Sequence, residues 1–73
     1  MESQTRFIFC ENIRLIRMKH RLTQKEMAKM LCISVKTLSA IENHRIPPRL
    51  GTKFVFAVSH TFDVAPKDLF LPN

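Results

Sequence analysis

The segment LTQKEMAKMLCISVKTLSAIEN, from Leu22 to Asn43, contains two short amphipathic stretches separated by a break at residues 32–34. Apolar residues recur at helical spacing on both sides of the break. The pattern predicts one helix over about residues 23–31 and another over about residues 35–42. Helices of about two turns are not stable alone in water, so we expect these two to pack against each other.

Capping residues support both predicted helix starts. Thr23 stands three residues before Glu26, which is the spacing of a capping box: the threonine hydroxyl accepts from the helix backbone and the glutamate reaches back. Ser34 precedes the second stretch and is a favoured N-cap residue. Both helices therefore have local start signals that do not depend on tertiary contacts.

The two predicted helices have distinct inner and outer faces. Ala28 is small enough to let the helices cross closely, and the inner positions are apolar throughout: Met27, Leu31, Ile33, Leu38 and Ile41. The outer face of the second helix is short or polar with one cation: Val35, Lys36, Ser39, Ala40 and Asn43. Such a face suits a helix that enters a groove.

The rest of the chain is also predicted to be helical. Apolar spacing predicts a first helix over about residues 7–20 and a fourth over about residues 51–62. A loop at residues 44–49 contains two successive prolines, which prevent a helix from continuing. A short fifth helix is predicted over about residues 66–70, and no strand is predicted. We expect an all-α, compact five-helix fold.

Chain length and charge distribution indicate the number of domains and the type of partner. A chain of 73 residues predicts one domain over residues 1–73, with roughly the first six and the last two or three residues flexible. The net charge is +6, and residues 14–53 hold ten basic and two acidic side chains, a local net charge of +8. A basic centre favours a polyanionic partner, although a solvated basic face is the alternative.

Metal and catalytic sites are not predicted. Cys10 and Cys32 form no CxxC motif, and His20, His44 and His60 fall on three different elements. We expect two reduced thiols, no metal, no cofactor, no small-molecule ligand and no enzymatic activity.

The chain contains no apolar run long enough for a membrane span, so a cytoplasmic location is expected.

The motif resembles the helix-turn-helix of the phage repressor and Cro type, also called XRE-like, among bacterial DNA-binding regulators. LTQKEMAKML is similar to the family's lTqeeLAekl, and ISVKTLSAIEN is similar to vsrstiskiEnG. HTFDVAPKDLF is similar to the family ending alGVspdeLl, so the likeness extends over about residues 9–70. The resemblance implies a λ-repressor-like fold and a bacterial or phage-encoded regulator that associates with the nucleoid through DNA.

The resemblance also implies a set of site residues. In this family the second helix of the motif enters the major groove. The candidates for base reading are Val35, Lys36, Ser39 and Ala40, and those for phosphate contact are Gln24, Ser34, Thr37, Asn43, Arg45 and Arg49. Arg14 and Lys53 are weaker candidates for phosphate contact. Arg17 and Glu42 match a family ion pair and are expected to be structural.

The chain departs from the family at three turns where glycine is favoured. Arg21, Cys32 and His44 occupy these positions, and Gly51 is the only glycine in the sequence. A left-handed backbone at such residues costs about 1 kcal/mol each. The sequence leaves open whether these turns adopt that conformation. An accessible Cys32 also leaves a redox role open.

The leading functional prediction is a sequence-specific binder of double-stranded DNA that regulates transcription, with a repressor-like mode of action. Because one helix reads only a few base pairs, we expect a homodimer on a palindromic operator. Phe56 and residues 69–71 are the predicted dimer contact, unless they only cover the first helix. The alternative is a protein-binding module, such as an antitoxin, on the same fold.

Overall fold

Four α-helices follow one another along the chain in the computed structural model, which describes residues 2–47 and 50–72. They are α1 (Glu2–Lys19), α2 (Gln24–Met30), α3 (Val35–Glu42) and α4 (Thr52–Phe62). A short 3₁₀ helix, Pro66–Phe70, comes after α4. The described residues contain no strand, so the all-α prediction is correct for this part of the chain. None of the helices described is long and apolar enough to cross a membrane.

Two details of the predicted fold are wrong. The structure has four α-helices rather than five, because the last element is a 3₁₀ helix whose backbone bonds span three residues, as in Asp68 N–H to Ala65 C=O at 2.9 Å. In addition, α1 begins at Glu2 rather than near Phe7. Residues 2–6 are polar and add no apolar periodicity, so the pattern alone did not include them.

The core forms where all four helices and the 3₁₀ helix meet. Its members are buried and apolar: Phe9, Cys10, Ile13, Met27, Ala28, Leu31, Leu38, Ile41, Phe54, Val58, Phe62 and Leu69. Of the five inward positions predicted for the motif, four are buried, and Ile33 is half-buried against the same cluster. The inner faces of α2 and α3 are therefore as the apolar spacing predicted.

The start of each motif helix carries the predicted cap. The Thr23 hydroxyl accepts from the Glu26 backbone N–H at 3.0 Å, and the Glu26 carboxylate accepts from the Thr23 backbone N–H at 2.8 Å. At α3 the Ser34 hydroxyl accepts from the Thr37 backbone N–H at 3.0 Å. These bonds satisfy helix N–H groups that have no partner within the helix.

All four helices end in the same way, and none uses glycine. Arg21, Cys32, His44 and Asp63 follow α1, α2, α3 and α4 with φ angles of 55°, 58°, 63° and 54°. At each end the residue after the left-handed one donates its backbone N–H five residues back along the chain, as Leu22 does to Arg17 at 3.1 Å. This is the Schellman pattern, in which glycine is usual. The turn conformation that the sequence left open is therefore left-handed in all three cases.

Asn12 connects α1 to the end of the described chain. Its side chain is 6% exposed and its Nδ2 donates to the carbonyls of Leu69 at 2.8 Å and Leu71 at 2.9 Å. These carbonyls lie where the 3₁₀ helix ends and need a partner. Asn12 therefore fixes the C-terminal element on α1, which places Leu69 in the core at 1% exposure.

Candidate nucleic-acid interface

The two faces of α3 differ sharply in burial. Leu38 and Ile41 are fully buried on the inner face. On the opposite side Val35 is 42% exposed, Lys36 is exposed, and Ser39 and Ala40 are half-buried. The four predicted base-reading residues therefore share one accessible surface, which we call the outer face of α3.

The first turn of α3 presents hydroxyl groups beside this outer face. Ser34 Oγ donates to Thr37 Oγ1 at 2.8 Å while accepting from the Thr37 backbone N–H. The Ser34 hydroxyl is thus committed as both donor and acceptor. The Thr37 hydroxyl accepts in this bond and keeps its own proton for another acceptor.

Two predicted phosphate ligands, Asn43 and Arg45, follow the last turn of α3. Asn43 is exposed, and its Nδ2 donates to the Ser39 carbonyl at 2.8 Å. The same Nδ2 lies 3.5 Å from Ser39 Oγ, so Asn43 has to release this longer contact before it donates to an external acceptor. Arg45 is exposed next to it, and its backbone N–H is fixed on the Ala40 carbonyl at 2.8 Å.

A buried carboxylate joins three elements behind the outer face. Arg17 Nε lies 2.8 Å from Glu42 Oε2, and Arg17 Nη2 lies 3.0 Å from Glu42 Oε1. The ion pair expected from the resemblance is present in this bidentate form, and the Glu42 side chain is only 5% exposed. Arg17 Nη1 also donates to the Leu22 carbonyl at 3.0 Å. The pair therefore links α1, the turn between α1 and α2, and α3.

Gln24 has a structural partner that the sequence did not reveal. Its Nε2 donates to Glu42 Oε1 at 3.2 Å, across 18 residues of sequence. The side chain is half-buried at the start of α2 rather than extended into solvent. The bond leaves one Nε2 hydrogen and the amide oxygen, so Gln24 can still contact an external group from a fixed position.

The other predicted cations are less closely grouped. Arg14 Nη1 is 4.0 Å from Glu11 Oε1, which reduces its availability to an outside anion. Lys53 lines a groove with Met30 and His60, and no residue of α3 contributes to that groove. Arg49 lies outside the described residues, so its predicted phosphate contact stays a prediction.

Comparison with known sequences identifies the family. The sequence profile of the helix-turn-helix family matches residues 13–69. This chain belongs to the helix-turn-helix family. It is also 36% identical over 59 residues to an uncharacterised HTH-type transcriptional regulator of Methanocaldococcus jannaschii, an alignment that covers 81% of this chain and 86% of that protein. No solved structure gives a significant match.

The thiols of this helix-turn-helix protein have different environments. Cys10 is fully buried in α1, and this burial raises the pKa of its thiol, with the neighbouring Glu11 carboxylate adding to the effect. Cys32 is exposed in the turn between α2 and α3. Within the described part of the chain no three His, Cys, Asp or Glu side chains group closely enough to hold a metal ion.

The predicted dimer contact divides into buried and exposed parts. Leu69 belongs to the core, and Phe70 stacks on Phe9 with ring centroids 5.1 Å apart. Leu69 is therefore wrong as a dimer contact, because Asn12 draws the 3₁₀ helix onto α1. Phe56 is 60% exposed and Leu71 is 53% exposed, so these two remain candidates.

Proposed function

We propose that this helix-turn-helix protein binds double-stranded DNA sequence-specifically and regulates transcription, with α3 in the major groove. The observation that carries the proposal is the outer face of α3. It is accessible and built of short side chains and one lysine, while the opposite face is fully buried. A helix held this firmly from behind can enter a groove about 12 Å wide without losing its orientation.

The outer face has the chemistry for direct readout of bases. Lys36 can donate to the O6 and N7 atoms of guanine, and Val35 and Ala40 can pack against thymine methyl groups. Ser39 can donate or accept and tolerates several bases. The expected half-site therefore contains a guanine near thymines, with little contribution from bidentate amide recognition.

Phosphate contacts are proposed on both sides of α3. Gln24 and Thr37 each retain a donor near the starts of α2 and α3, where backbone N–H groups also attract anions. Asn43 and Arg45 supply donors at the other end of α3, and Ser34 orients Thr37. These contacts set the position of α3 on the duplex, while the outer face selects the sequence.

A homodimer on a palindromic operator completes the proposal. One outer face spans too few bases for useful selectivity among genomic sites, and a two-fold axis doubles the contacted sequence. Half-site centres are expected about one helical turn apart, or a multiple of it. The exposed Phe56 and Leu71 side chains are the proposed subunit contacts.

Selection of random duplex DNA followed by sequencing tests the proposal. We expect an enriched inverted repeat, with affinity that falls steeply as salt rises because lysines and arginines displace counterions. Lys36→Ala is expected to weaken specific binding by about 5- to 150-fold and to relax selection at one position in each half-site. Lys53→Ala is the matched charge control: it also removes one positive charge, but from a groove without α3 residues, so any phosphate contact that it deletes should weaken all sequences alike.

The outcomes separate the two classes of function. A Lys53→Ala variant that loses as much specificity as Lys36→Ala would show that charge alone governs binding. The absence of any enriched motif, together with no effect of Lys36→Ala, would overturn the proposal. That result would favour the protein-binding alternative.

A further inference from the structure

The end of α3 differs from the other three helix ends in how it is held to the body of the protein. After the left-handed residue, α1, α2 and α4 place Leu22, Ile33 and Val64, which are half-buried against the core. Such an apolar residue usually anchors a Schellman turn. After α3 the corresponding residue is Arg45, which is exposed. The turn after α3 therefore lacks an apolar residue at this position, and the next residue, Ile46, is the one that is half-buried against the core.

A side chain from the left-handed position itself supplies an attachment at this turn. The His44 ring stacks on Phe7 with centroids 4.5 Å apart and planes inclined by 4°. His44 Nε2 also lies 3.2 Å from Glu11 Oε2. Phe7 and Glu11 are four residues apart on α1, so they form adjacent sites on one helix surface. The imidazole thus contacts α1 through both its face and its edge.

We propose that His44 is a positioning residue for DNA binding: it anchors the turn after α3 on α1 and thereby fixes Asn43 and Arg45 toward the phosphates. This inference rests on the proposed function for its consequence, while the anchor itself is a property of the free protein. Glycine at position 44 relieves the left-handed backbone but has no side chain to reach α1. His44 therefore keeps an unfavourable left-handed backbone conformation, while its side chain holds the proposed phosphate ligands in position.

The test uses the full chain and two variants that alter the anchor differently. Phe7→Ala removes the stacking partner without changing the net charge, and His44→Gly removes the whole anchor. Glu11→Gln is unsuitable alone, because it also deletes a negative charge and releases Arg14 toward DNA. His60→Gln is the control, since His60 is an exposed histidine in a groove without α3 residues.

Two measurements are made on each variant. In the free protein, proton NMR contacts between the rings of His44 and Phe7, and amide relaxation of residues 43–46, report whether the turn is anchored. On DNA, affinity is measured at fixed pH and fixed salt. We expect His44→Gly and Phe7→Ala to weaken binding by about threefold to tenfold. We expect His60→Gln to keep the ordered turn and the DNA affinity of the wild type.

The results distinguish the anchor from the proposed function. If the His44 and Phe7 rings show no contact and residues 43–46 are equally ordered in His44→Gly, the inference is overturned. Equal DNA affinity for wild type, Phe7→Ala and His44→Gly would also overturn it. A wild-type chain that shows the ring contact and ordered turn but binds no DNA would support the anchor and reject the proposed function.

Discussion

The two faces of α3, a helix of eight residues, differ in burial and in the partners of their side chains. On the inner face, Leu38 and Ile41 have no exposure, and the Glu42 carboxylate binds both Arg17 and Gln24. On the outer face, Val35 and Lys36 are exposed. Stability is thus concentrated on one side of the helix and the proposed recognition on the other. Under the proposed function, substitutions on the outer face should change base preference without unfolding the domain.

The largest effect is expected from a substitution that breaks the inner face. Leu38→Ala should lower the free energy of unfolding by about 2–5 kcal/mol, since it leaves a cavity among fully buried neighbours. Ser39→Ala, one residue along on the outer side, should change it by less than about 0.5 kcal/mol. Urea unfolding of both variants, followed by circular dichroism, measures the difference. Equal losses at residues 38 and 39 would contradict the division of α3 into two faces.

A smaller effect, of opposite sign, is expected in the turn that leads into α3. Cys32 has a left-handed backbone at φ 58°, so Cys32→Gly relieves strain of about 1–2 kcal/mol while increasing the entropy of the unfolded chain. We expect a net gain of about 0.5–1 kcal/mol, seen as a melting temperature higher by a few degrees, with about 4–8 °C per kcal/mol in a domain of this size.

Lys29→Gly provides the matched control for this turn. It introduces the same residue inside α2, where the backbone is helical, and should lower stability by about 1 kcal/mol. Neither face of α3 is altered by these two changes. A loss of stability in Cys32→Gly would mean that the turn does not hold the left-handed conformation in solution.

The smallest effect is expected at an exposed carboxylate outside both faces. The backbone N–H of Thr23, with the Thr23 hydroxyl adding to it, lowers the pKa of Glu26 below its usual value. Its contribution to stability is therefore present above the ordinary pKa of a glutamate and is lost as pH falls through the lower folded-state pKa. Glu26→Gln should be slightly less stable than wild type at pH 7 and equal to it near pH 2. Thermal unfolding at both pH values measures this. A difference that persists at the acidic pH would argue against the Glu26 carboxylate as its source.

Local patterns were sufficient for the motif itself. The spacing of Met27, Leu31, Leu38 and Ile41 predicted a buried inner face, and Thr23 and Ser34 predicted where the two helices begin. Each of these signals lies within a few residues of the structure that it specifies. The family resemblance, confirmed by the match over residues 13–69, depends on the same stretch.

Apart from the Arg17–Glu42 ion pair, which the family resemblance implied, contacts between distant parts of the chain were not predicted. Asn12 donates to Leu69 across 57 residues, and Gln24 donates to Glu42 across 18 residues. From the sequence, His44 is recognisable only as a non-glycine residue at a turn. Phe7 and Glu11 are recognisable only as residues of the first helix. No local pattern brings these groups together, because each bond requires the packing of two helices to be known first.

The sequence by itself determined the helix-turn-helix, its caps, its inner and outer faces and its positive charge, since helical periodicity and capping act over one or two turns. Tertiary structure alone decided that the Glu42 carboxylate also binds Gln24 of α2, that Leu69 belongs to the core, and that His44 contacts α1. The physical reason is distance along the chain: hydrogen-bonding and stacking groups find partners only after the apolar core has fixed where the helices lie.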